Sequence, residues 1–104
     1  MVNVTFNIDL SGEVFDKVFI ACDYYSWSIL EITESSNSVY THTLQLEENR
    51  TYEYKFLLSR PGNSLEEWEV LNSNCVTNSP FNNRFINVGN IDINLPAVRF
   101  CKCF

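Results

Sequence analysis

The stretch Thr51-Tyr52-Glu53-Tyr54-Lys55-Phe56-Leu57-Leu58 is the clearest strand in the chain. Tyr52, Tyr54, Phe56 and Leu58 occupy every second position, with Thr51, Glu53, Lys55 and Leu57 between them. Successive side chains of a β-strand point to opposite faces, so this order makes an apolar stripe on one side and a mixed, mostly polar row on the other. Lys55 falls on the polar row and faces solvent.

Just before it, residues 40–46 alternate in the same way, and Glu47-Glu48-Asn49 follows as a short polar turn. The two runs together read as a hairpin. Nearer the N-terminus, Val4, Phe6, Ile8 and Leu10 alternate with Asn3, Thr5, Asn7 and Asp9, the pattern of a half-buried strand that Ser11-Gly12-Glu13 breaks. Residues 17–22 form a nearly continuous apolar run, as in a strand covered on both faces. Residues 23–28 read as a polar-aromatic loop, 30–33 as a short strand and 34–38 as a Ser/Asn turn.

On the C-terminal side, Arg60-Pro61-Gly62-Asn63-Ser64 is a loop signal, and residues 67–71 form a short strand. Residues 72–83 make a long Asn/Ser-rich loop. Strands at 85–88, 91–95 and 98–101 close the chain, separated by Gly89-Asn90 and Pro96. No stretch shows a helical period. Seven to nine short strands at this spacing point to an all-β, immunoglobulin-like antiparallel β-sandwich, with residues 1–104 as one domain.

Composition agrees. The chain has 104 residues with eight Phe, five Tyr, two Trp and a single Met, the aromatic and β-branched usage of a sheet protein. The formal net charge is −6, and the seven basic residues are scattered along the chain. Phosphate neutralisation supplies most nucleic-acid affinity, so nucleic acid is disfavoured, and an anionic membrane surface for the same reason. A neutral ligand such as a sugar fits. No apolar run is long enough to span a bilayer. Met1-Val2-Asn3-Val4-Thr5 enters a strand pattern directly, without the features of a signal peptide.

Four cysteines permit two disulfides. Cys22, inside Phe19-Ile20-Ala21-Cys22, reads as a small buried residue, whereas Cys75 lies in the long loop, where Cys101 or Cys103 is able to close onto it. With the sequons Asn3-Val4-Thr5 and Asn49-Arg50-Thr51, this leans towards an extracellular or cell-surface location.

Catalytic chemistry is thinly represented. The one His is His42, in mid-strand, and three Gly in the whole chain leave no phosphate-binding loop. Cys101-x-Cys103 alone offers too few ligands for zinc. Thirteen carboxylates offer candidates for a glycosidase pair, but a domain of this size seldom builds the cleft such a pair needs. The expectation is a binding module with no cofactor, metal or catalytic residue. Its most informative residues are aromatics among polar ones: Tyr24-Tyr25-Ser26-Trp27-Ser28, and Trp68 within Glu66-Glu67-Trp68-Glu69. An exposed aromatic face suits the C–H face of a pyranose, and neighbouring amides and charges pair with hydroxyls. Trp is also a common core residue, and Trp68 shares its strand face with Val70, so alternation alone leaves its burial open.

The order of these segments resembles the starch-binding domains of carbohydrate-binding module family 20 and the related glycogen-binding domains of AMP-activated kinase β subunits. Those families open with a strand like Val4-Thr5-Phe6-Asn7-Ile8. A segment similar to their Val-x-Val-x-Gly-Asp-Phe-Asn-x-Trp-Ser follows, here Val18 to Ser28. Next come a strand like Tyr40–Leu46, then Tyr52-Glu53-Tyr54-Lys55-Phe56, Trp68-Glu69 and Asn83-Arg84. The likeness covers about residues 3–95. It implies non-catalytic binding of an α-glucan, either a polysaccharide such as starch or glycogen or a maltooligosaccharide. Trp27 and Trp68 would be the stacking platforms. Lys55, Glu69 and Asn83 would bond sugar hydroxyls, with Tyr24 and Tyr25 at the periphery. It also implies a monomer or a module of a larger protein. The chain departs from the pattern at Cys22, where the family has Gly, and at Tyr25, where it has Asn. The segment after Trp68-Glu69 is longer, and the tail from Phe100 is extra. The alternative is an immunoglobulin-like adhesion or protein-interaction domain that has lost sugar binding.

Overall fold

The computed structural model describes residues 1–71 and 82–103. Among them the chain forms ten strands in two sheets: β1 (Val2–Asp9), β2 (Lys17–Cys22), β3 (Leu30–Ile32), β4 (Glu34–Ser36), β5 (Val39–Leu46), β6 (Arg50–Ser59), β7 (Glu67–Trp68), β8 (Arg84–Val88), β9 (Ile93–Asn94) and β10 (Val98–Arg99). The first sheet runs β10-β1-β5-β4, with β9 sharing the free edge of β1. The second runs β3-β2-β6-β7, with β8 also on β6. All pairings are antiparallel except those of β1 with β9 and β10. The protein is thus an all-β, immunoglobulin-like sandwich.

The alternating stripes supply the core. Val2, Val4, Phe6 and Ile8 of β1 with Leu44 and Leu46 of β5 line one inner face. Val18, Ile20 and Cys22 of β2, Tyr52, Tyr54, Phe56 and Leu58 of β6, and Ile86 and Val88 of β8 line the other. Phe6 meets Tyr54 edge-on across the two sheets at 4.7 Å between centroids, an arrangement aromatic quadrupoles favour. Burial pushes the Tyr54 hydroxyl up to about 12.

Three expectations need correction. Strands β5 and β6 are not a hairpin: β5 pairs with β1 and β4, whereas β6 pairs with β2, β7 and β8. The turn 47–49 therefore crosses from one sheet to the other. Both strands still present an apolar stripe to the same core, so their alternation is the same in either arrangement. Secondly, residues 34–36 are a strand rather than a turn. Strand β4 is wholly exposed at the sheet edge, so it has no apolar alternation to betray it. It pairs with β5 through a two-residue turn at Asn37 and Ser38, both with positive φ (51° and 69°), the geometry that favours Asn and Gly. Thirdly, among the described residues the strands number ten rather than seven to nine, chiefly because of β4 and the two-residue pieces β9 and β10.

Cys22 is buried and is a free thiol, as is Cys101. Cys103 is disulfide-bonded. Cys75 and most of the long loop lie outside the described residues.

Candidate functional site

Strand alternation on the second sheet turns Phe19, Lys55 and Leu57 away from the core. Register places Leu57 between Phe19 of β2 and Trp68 of β7, in one row across three strands. One row along, Lys55 faces Ala21. Leu57 and Ala21 are fully buried although they lie outside the main core cluster. The outer face of this sheet is thus a second, smaller apolar surface, and Trp68 lies at its edge, 40% exposed.

Trp27 reaches the same place from the loop after β2. A 3₁₀ turn at Asp23–Tyr25 follows the strand, and Ser26 and Trp27 both adopt left-handed backbone conformations, with φ of 56° and 60°. For a residue as bulky as Trp this is an outlier, at a cost on the order of 1–3 kcal/mol. Three bonds hold it: Ser26 N–H donates to Asp23 O, Trp27 N–H to Cys22 O and Ser28 N–H to Tyr25 O, at 3.0–3.1 Å. The result brings the half-buried Trp27 ring to 6.4 Å from that of Trp68, with 60° between their planes. Two indoles 41 residues apart in sequence form one partly exposed wedge. The Gly-to-Cys departure at Cys22 is harmless to this loop, because Cys22 has extended backbone (φ −134°, ψ 143°) that any residue adopts. Its thiol points into the core, where burial pushes it up to about 11, so it is a poor nucleophile.

Of the five residues expected at the site, four lie on or beside this face. Lys55 is half-buried on it. Asn83, almost covered, donates from Nδ2 to Oε1 of Glu53 at 3.0 Å. Glu53 is two positions from Lys55 on the same outer row; sequence reading overlooked it, although the alternation of β6 puts it there.

Glu69 is elsewhere. Alternation after the outward Trp68 turns it inward, and it is 1% exposed. Its two carboxylate oxygens take Arg84 Nε and Nη2 at 2.9 and 2.6 Å, the N–H of Phe56 at 2.9 Å and the N–H of Cys101 at 2.9 Å. Arg84 also donates from Nη2 to the carbonyls of Arg99 and Lys102 and lies over the Phe56 ring. With its acceptor sites filled inside the protein, Glu69 has no reach to a ligand on the surface. The Trp-Glu and Asn-Arg pairs instead supply an internal clamp that ties the C-terminal segment to β6.

The peripheral tyrosines are engaged as well. Tyr24 and Tyr25 pack edge-to-face at 5.2 Å, Tyr25 donates to Gln45 O at 2.7 Å, and Tyr24 donates to Glu47 at 3.4 Å. The guanidinium of Arg50, itself paired with Glu47 at 2.7 Å, lies over the rings of Tyr24 and Tyr52. His42 lies on the inward face of β5, partly buried and opposite Phe6, and desolvation lowers its pKa. Among the described residues, no three His, Cys, Asp or Glu side chains gather to hold a metal. No protein-family model matches the chain, and no curated protein matches it.

Proposed function

We propose that this chain binds an α-glucan without catalysis, the Trp27–Trp68 wedge gripping the sugar rings. The supporting observation is the approach of two partly exposed indoles to 6.4 Å on one sheet face. Paired aromatic faces offer large apolar area at little conformational cost, and Lys55 and the Asn83–Glu53 pair supply polar groups alongside. Trp27 is held in its strained loop, and Trp68 on β7, before any ligand arrives, which spares the cost of ordering them on binding. A shallow site of this kind gives a Kd of roughly 10 µM to 1 mM. Glu69 belongs to the internal clamp and is not part of the proposed ligand set. We place the protein outside the cell or on its surface, in keeping with the disulfide at Cys103.

Native gel electrophoresis through soluble starch or glycogen tests this reading. The expected result is retardation of the wild type and loss of retardation in Trp27→Ala. Unretarded migration of a folded wild-type domain overturns it. A protein-interaction role is favoured by a different observation: Leu65, Val70 and Phe85 are 79%, 71% and 42% exposed, and Trp68 joins them. Capture of one protein partner by a domain that ignores starch and glycogen, with the capture lost in Trp68→Ala, supports that second reading.

A further inference from the structure

The outer face of the second sheet carries an aromatic ring that the site above does not use. Phe85 is 42% exposed. It stands on β8 between Arg84 and Ile86, both buried, so alternation turns it outward. Phe85 is in register with Glu53, as Trp68 is with Leu57. Strand β2 occupies one edge of β6, so β7 and β8 share the other. Trp68 and Phe85 therefore stand in one column along that edge. The strand from Glu53 to Leu57 separates them by about 14 Å, at the rise of an antiparallel strand. In the interval lies Lys55, and Glu53 at the Phe85 end accepts a hydrogen bond from Asn83.

A single exposed Phe is ordinary on a protein surface. This one is aligned with two indoles on the same face, with polar groups in the interval. That order, aromatic then polar then aromatic, is what one oligosaccharide needs: rings stack at each end and hydroxyls between them find partners. A disaccharide does not span the interval.

We propose that Phe85 is a distal stacking platform, so that the site takes a longer oligosaccharide laid along β6 from the Trp27–Trp68 wedge to Phe85. The proposal rests on the glucan-binding reading. It makes Phe85 a determinant of chain-length preference, with no part in holding the first sugars.

Calorimetric titration of wild type, Phe85→Ala and Trp27→Ala with maltose and with maltoheptaose tests it, and thermal melts check that each variant is folded. Wild type is expected to bind maltoheptaose more tightly than maltose. Phe85→Ala is expected to lose roughly tenfold for maltoheptaose, the worth of one exposed aromatic contact, and to bind maltose as wild type does. Trp27→Ala is expected to weaken both. Equal wild-type affinity for the two sugars, a Phe85→Ala variant indistinguishable from wild type, or one weakened equally for both overturns the distal platform while leaving the wedge standing. No binding of either sugar by wild type overturns the glucan reading itself.

Discussion

Glu69 is a structural residue, buried and bonded inside the protein. Its carboxylate receives four hydrogen bonds, two of them from Arg84, and both side chains are removed from water. A buried ion pair is stable only while complete, since either partner alone leaves an uncompensated buried charge. Glu69→Gln is therefore expected to cost about 3–5 kcal/mol, read from urea unfolding, because it leaves the Arg84 guanidinium unpaired in the interior. The indoles behave oppositely. Trp27→Ala and Trp68→Ala are each expected to cost about 2 kcal/mol, roughly 30-fold, in glucan affinity, as central aromatic contacts do. The urea midpoints measured alongside separate the two kinds of residue: a large drop belongs to Glu69→Gln.

Elements differ in how much of their geometry their own residues prefer. Strand β6 is fixed by alternation, and four neighbouring strands are built on its partners and edges. The β4–β5 turn is less well matched. Asn37 suits the left-handed region, but Ser38 at φ 69° does not, and a two-residue turn of this kind ordinarily takes Gly second. Ser38→Gly is expected to raise stability by a few tenths to about 1 kcal/mol, measured by chemical unfolding. A fall in stability would mean that the Ser38 side chain is worth more than the backbone strain it imposes. The loop from Cys22 to Ser28 accepts a comparable strain at Ser26 and Trp27, and there it positions an indole.

At the scale of the molecule, two dependences follow from how the sheets are closed. His42 faces inward from β5, and desolvation holds its pKa below the ordinary 6.5, with Glu34 opposing the shift in part. The folded state thus binds the proton less readily than the unfolded chain does. The contribution of neutral His42 is present above pH 6.5 and is lost as pH falls through the interval down to the depressed value. The urea midpoint is expected to drop between pH 7.5 and pH 5.5, with a shallower drop in His42→Gln. An unchanged slope in that variant assigns the dependence to other groups. The C-terminal segment is held by the Glu69–Arg84 clamp and by the disulfide at Cys103. Reduction is expected to remove about 2–5 kcal/mol, seen as a lower thermal midpoint in dithiothreitol. Cys22→Ser and Cys101→Ser leave that sensitivity in place, because both are free thiols.

The all-β character, and the core-facing side chains of the two clearest strands, are legible along the chain, because period 2 is written locally in Val4 to Leu10 and in Tyr52 to Leu58. It also put Trp27, Trp68 and Lys55 among the residues to watch. Which strands share a sheet emerges only once the chain is folded, since β5 and β6 present the same stripe whether paired or facing. The same holds for the approach of two indoles distant in the chain to 6.4 Å and for the inward turn of Glu69 to Arg84. Those outcomes depend on register and on the crossing between sheets, which couple residues far apart in sequence and leave no periodic trace along the chain.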